Sequence, residues 1–119
     1  MGGTYQGLKV WQAGMDLTLK VYRTTQKFPA DEVYGLRFQM RRPAVSFVSN
    51  IAEGKGRPSD KELLQFLNRA RGSLFELETQ LEIAHSLGYV DALLSHTHTA
   101  GKMLNGMIAK IRQSVQEAA

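Results

Sequence analysis

The chain has 119 residues, 43% hydrophobic and 22% charged, with a formal net charge of +4 and no cysteine. That length and composition suit one folded domain around one hydrophobic core and argue against wholesale disorder. They exclude disulfides, thiolate metal sites and thiol nucleophiles, and the basic balance mildly favours polyanionic partners.

In chain order, the first predicted helix covers about residues 8–27. Leu8, Trp11, Met15 and Tyr22 form one apolar stripe at helical spacing, and Val10, Leu17 and Val21 form a second, more than a quarter-turn around the axis. Two stripes imply a helix covered on two sides. Phe28-Pro29 ends it, because the residue before proline is pushed out of the α region. Asp31 is the expected cap of a second helix over 32–53. Its apolar face reads as Tyr34, Phe38, Val45, Val48 and Ala52, with Leu36, Met40, Phe47 and Ile51 beside them. Pro43 removes the bond to the Gln39 carbonyl and is expected to kink or split this helix. Gly54, Gly56 and Pro58 make the next turn.

The third predicted helix, 60–87, is the clearest. Ser59 and Glu62 form a capping box, each satisfying a backbone donor. Leu63, Leu67, Ala70, Leu74, Leu77, Leu81 and Ala84 alternate in steps of four and three, a seam of coiled-coil type, and Gly88 supplies the left-handed stop. Asp91 caps a fourth helix over 92–116, whose seam is Leu94, Thr97, Gly101, Leu104, Ile108, Ile111 and Val115. Four helices with short connections make residues 1–119 a single all-α domain, an antiparallel up-down-up-down four-helix bundle.

Catalytic and metal-binding patterns are sparse. A di-iron bundle needs Glu-x-x-His twice, and Glu82-Ile83-Ala84-His85 supplies it once. His85 reads instead as a half-buried side chain bonded to a neighbouring helix. His96 and His98 point to nearly opposite sides of a helix, one inward and one solvated. Ser46, Ser49 and Ser73 have no nearby histidine and no oxyanion motif, and Gly54-Lys55-Gly56 fits no phosphate loop. The expectation is a protein that is not an enzyme and needs no metal or cofactor. No apolar run approaches the roughly 18–20 residues of a membrane span. The opening Met-Gly-Gly-Thr-Tyr-Gln shows no secretory or myristoylation pattern, so a cytoplasmic location is expected.

Charge is uneven along the chain. Residues 1–30 carry four basic and one acidic side chain and residues 31–58 five and three, whereas residues 59–90 carry three and five. Arg37, Arg41, Arg42, Lys55, Arg57 and Lys61 cluster around the second helix and its turn, and are the candidate nucleic-acid-binding residues. No helix-turn-helix, zinc finger or RNA-binding strand accompanies them. On the third helix Arg71, Phe75, Glu78 and Glu82 line up off the leucine seam, a candidate protein interface, since aromatics and arginine are enriched there. Ser46, Asn50, Glu53, Arg71 and Glu76 form a candidate polar network between helices two and three.

Tyr34-Gly35-Leu36-Arg37-x-Gln39-x-Arg41-Arg42, Val45-Ser46, Asn50-Ile51-Ala52-Glu53-Gly54, Arg57 and Ser59 together resemble a known signature. It is that of the bacterial four-helix-bundle proteins found in intervening sequences of ribosomal RNA genes. The stretch Phe66-Leu67-x-x-Ala70-Arg71-Gly72-Ser73-Leu74-x-Glu76-Leu77-Glu78-Thr79-Gln80-Leu81 and Leu87-Gly88-Tyr89 fit it as well, and the similarity spans about residues 8–115. That family includes the accessory variability determinant of diversity-generating retroelements, a five-fold barrel that binds a reverse transcriptase and nucleic acid. The resemblance implies a cytoplasmic homopentamer, with RNA, DNA or a nucleic-acid enzyme as further partner. Many relatives carry Ala at the place of Pro43 and Pro at that of Val48, which moves the expected kink about one turn earlier. Two functions follow from residues and resemblance together. One is a nucleic-acid-associated accessory protein; the alternative is an oligomeric scaffold that binds another protein and has no nucleic-acid role.

Overall fold

Four α-helices carry the computed structural model, which describes residues 4–90 and 94–118. They are α1 (Lys9–Thr25), α2 (Leu36–Lys55), α3 (Asp60–Ser86) and α4 (Leu94–Ala118), and no strand occurs among the described residues. Each packs on its neighbours in the chain, and α1 closes the ring by packing on α4. Residue pairs fix the directions. Gly14 of α1 meets Val48 of α2, while Thr18 meets Ala44 and Thr25 meets Arg41. Between α2 and α3, Ser46 meets Ser73 and Gly54 meets Phe66; between α3 and α4, Asp60 meets Ser114 and Glu78 meets His98. In each pair one number rises as the other falls, so the bundle is antiparallel, up-down-up-down. It is a rod of 51 × 24 × 21 Å.

The α3 seam is the centre of the core. Leu63, Leu67, Ala70, Leu74, Leu77, Leu81 and Ala84 are all buried, joined by Leu17, Val21, Met40, Phe47, Ile51, Leu104 and Ile108 from the other helices. On α1 the stripe of Val10, Leu17 and Val21 is the inward one. Leu8, Trp11 and Met15 are half-buried and Tyr22 is exposed. On α2 the two sets of apolar positions divide. Tyr34, Phe38 and Val45 are exposed, and only Val48 of that set is buried. The buried set is Met40, Pro43, Ala44, Phe47, Val48 and Ile51, together with Gly54. Small residues decide this. Gly14, Pro43 and Ala44 allow α1 and α2 to approach closely. A Cβ added at Gly14 would lie 2.6 Å from Val48 Cγ1 and 2.7 Å from Phe47 Cε2.

Helix ends follow local chemistry, with two departures from expectation. Residues 30–32 form a single 3-10 turn, and α2 begins only at Leu36. Its cap is the Glu32 carboxylate, whose Oε1 accepts from the Leu36 N–H at 3.1 Å, rather than Asp31. Gly35 makes room for that carboxylate, which a Cβ there would strike. Pro43 does not split α2, which runs through it unbroken. At the start of α3, Ser59 Oγ accepts from the Glu62 N–H at 3.2 Å, but the Glu62 carboxylate returns to the Ser59 hydroxyl (3.1 Å) instead of a backbone donor. Helix α3 ends in a Schellman arrangement. Gly88 adopts φ +79°, its N–H donates to His85 O, and the Tyr89 N–H reaches Ala84 O at 2.9 Å. The expected cap Asp91 lies outside the described residues.

Candidate nucleic-acid interface

The last carbonyls of a helix lack intrahelical donors, and cationic side chains are favoured there by the dipole. Two arginines from the start of α2 place their charge at the end of α1 and just beyond it, where Tyr22 O also accepts from the Gln26 N–H at 3.1 Å. Arg41 donates from Nε to Thr25 Oγ1 at 2.9 Å and from Nη2 to Tyr22 O at 3.0 Å and Gln26 Oε1 at 3.3 Å. Its guanidinium also lies 4.4 Å from the Tyr22 ring centroid. The Thr25 hydroxyl passes its own proton to Val21 O at 2.7 Å. Arg37 Nη2 donates to Phe28 O at 3.2 Å. Arg37 and Arg41 are thus half-buried and tie α2 to α1, while Arg42 faces solvent with its guanidinium 5.9 Å from the Phe38 ring centroid.

Lys55, Arg57 and Lys61 sit at the other end of α2. Thirteen residues separate Arg42 from Lys55, about 20 Å along the axis at 1.5 Å per residue. The six basic residues therefore form two groups and not one patch. Arg57 pairs with Glu53 at 3.6 Å and rests over Phe66, 4.6 Å from its centroid. Lys55 joins Lys9 and Lys110 around an open cleft floored by Leu8, Met103 and Met107. Lys61 is exposed. Among the described residues Arg57–Glu53 is the one ion pair between a Lys or Arg and a carboxylate. Arg23, Lys27 and Arg42 are exposed near the α1–α2 junction with no carboxylate partner among them. Arg23 and Lys27 entered no sequence pattern. Both are exposed on the same hairpin as Arg42.

Arg71, Phe75 and Glu78 line a groove between α3 and α4 with Thr97, His98 and Gly101, and Phe75 is 59% exposed. Glu82 is exposed on the same helix. The polar network is smaller than the sequence suggests. Ser46 Oγ and Ser73 Oγ are 2.8 Å apart, and Asn50 Nδ2 donates to Ser46 O at 2.8 Å and Ser46 Oγ at 3.0 Å. Arg71 bonds Asn68 instead, Glu76 accepts from Gln80, and Glu53 holds Arg57, because each is nearer a partner one turn away on its own helix or the adjoining turn. His85 is exposed and, among the described residues, bonds no neighbouring helix. His96 is half-buried and His98 exposed, the latter 3.8 Å from Glu78.

One ionisable group is clearly perturbed. A hydrogen bond to Glu32, then burial, then the negative charges of Glu32 and Asp31 push the Tyr89 phenol above its ordinary range. The ring also packs on Phe28 at 5.2 Å between centroids, so Tyr89 couples the end of α3 to the α1–α2 connection. Among the described residues no three His, Asp or Glu side chains gather as a metal would require, and no helix is long and apolar enough to cross a membrane.

Fold and surface together define an antiparallel bundle whose first hairpin holds uncommitted cations. The family model described as 23S rRNA-intervening sequence protein matches residues 6–106, and the chain belongs to that family. A comparison with curated proteins gave no match.

Proposed function

We propose that the protein is a non-enzymatic, cytoplasmic homo-oligomer, five-fold as its family resemblance implies, that associates with nucleic acid through the α1–α2 hairpin. The observation that carries this reading is the set of exposed cations Arg23, Lys27 and Arg42 on one hairpin, none of them ion-paired among the described residues. Such groups release counterions when they meet phosphates, which makes binding favourable and salt-dependent. Residues 9–55 hold eight basic and four acidic side chains, while residues 60–118 hold six and seven. The charge excess therefore belongs to the first hairpin, and five copies at +4 would sum to about +20. Retention of a structured RNA at about 50 mM and about 200 mM salt tests it. Tight retention at the lower salt and loss at the higher supports the reading; no retention at either removes it.

A second reading is supported by Phe75. A ring 59% exposed beside Arg71 and Glu78 suits a protein contact, with another copy or with a different protein. In the scaffold version the cations of α2 serve only fold and solubility.

A further inference from the structure

Three aromatic rings stand uncovered beside the cations of the first hairpin. Tyr34, just ahead of α2, is 92% exposed, Phe38 in the first turn of α2 54%, and Tyr22 near the end of α1 40%. Tyr22, Phe38, Arg41, Arg42 and Val45 line one groove, and Tyr34 stands in the turn ahead of α2. Rings of this size normally bury their faces in a core, and here the core is filled by Met40, Phe47 and Ile51 instead. Two of the rings already carry guanidinium groups, Arg41 at 4.4 Å from Tyr22 and Arg42 at 5.9 Å from Phe38.

We propose that this groove binds single-stranded nucleic acid, an unpaired base stacking on Phe38 while Arg42 holds a neighbouring phosphate, with Tyr34 exposed just ahead of the helix as a further stacking surface. The inference rests on the nucleic-acid reading above and names its substrate class. Base faces are accessible only where strands are unpaired, and stacking on side-chain rings adds affinity without demanding a sequence. Cations alone would accept a duplex equally well.

The test is fluorescence anisotropy with a labelled oligothymidylate of about 20 nucleotides and a duplex of equal length. The proteins are wild type, Tyr34→Ala with Phe38→Ala, and Phe38→Leu, which keeps apolar volume without a π face. Circular dichroism and light scattering accompany each. The expected result is a single-strand preference of at least about tenfold in wild type, reduced about tenfold by the alanine pair and less by Phe38→Leu, with duplex binding unchanged. Equal affinity for both oligonucleotides, or variants indistinguishable from wild type, overturns stacking while salt-sensitive binding leaves the nucleic-acid reading in place. No binding of either oligonucleotide at low salt removes both. Variants that change the assembled mass but not the affinity assign the groove to a protein contact and overturn the inference. Should the alanine pair not fold, Phe38→Leu alone decides, and its binding like wild type counts against the proposal.

Discussion

Arg41 of α2 donates its Nε–H to the Thr25 hydroxyl of α1 at 2.9 Å, while the next residue, Arg42, extends into water. Neighbours in sequence thus have different work. Arg41→Ala should cost about 1–3 kcal/mol, since the Thr25 hydroxyl and the Tyr22 carbonyl lose a charged donor. Arg42→Ala should stay within about 0.5 kcal/mol, as a surface change does. Urea unfolding of both variants checks this, and equal losses would contradict it. Of these two neighbours, Arg42 is the one suited to probing nucleic-acid contacts without disturbing the bundle.

Two glycines should respond with opposite sign. At Gly14 an added Cβ meets Val48 and Phe47 below 3 Å, so Gly14→Ala should destabilise by about 1–3 kcal/mol through overpacking. At Gly72, on the outer face of α3, nothing lies within 4 Å, and Gly72→Ala should stabilise by roughly 0.5–1 kcal/mol through the unfolded chain and helix propensity. Thermal melts of the two variants should move in opposite directions.

Tyr89 makes stability sensitive to alkali. Its phenol is raised in the folded state by the hydrogen bond to Glu32. The folded protein therefore holds this proton more tightly than the unfolded chain. The corresponding stabilisation is complete below the unfolded phenol value of about 10 and fades as pH rises through the higher folded value. Tyr89→Phe should flatten that part of the profile. Denaturant midpoints followed from about pH 8 to about pH 11 test it, and an unaltered slope in the variant would show that the phenol is not the responsible group.

Phe75→Asp places a charge at the centre of the exposed α3–α4 groove. Where that groove joins copies, sedimentation should show the assembly breaking into smaller species while circular dichroism stays helical. An unchanged mass would move the contact to another face.

The fold was largely legible, and α3 explains why. With leucine or alanine at every inward position of steps four and three, its periodicity has a single solution, and all seven seam residues are buried. Helix α2 carries two apolar sets, and pattern alone does not choose between them. What decides is close approach at Gly14, Pro43 and Ala44, and small residues leave no mark in a hydrophobic period. The candidate site was legible only in part. Arg37 and Arg41 look no different from Arg42 in the sequence. Their partners are the carbonyls of Phe28 and Tyr22, at and just beyond the end of another helix, which come within reach only when the hairpin closes. The polar network shrank for a related reason, because long side chains such as Arg71 and Glu76 find nearer partners on their own helix.

The most direct test of the central claim is the salt dependence of RNA binding by wild type and by a triple variant, Arg23→Gln, Lys27→Gln and Arg42→Gln, both confirmed to be helical. The account predicts that wild-type affinity falls steeply between about 50 and 200 mM salt, and that the variant binds more weakly with a shallower slope. Identical affinities and slopes for the two proteins would contradict it.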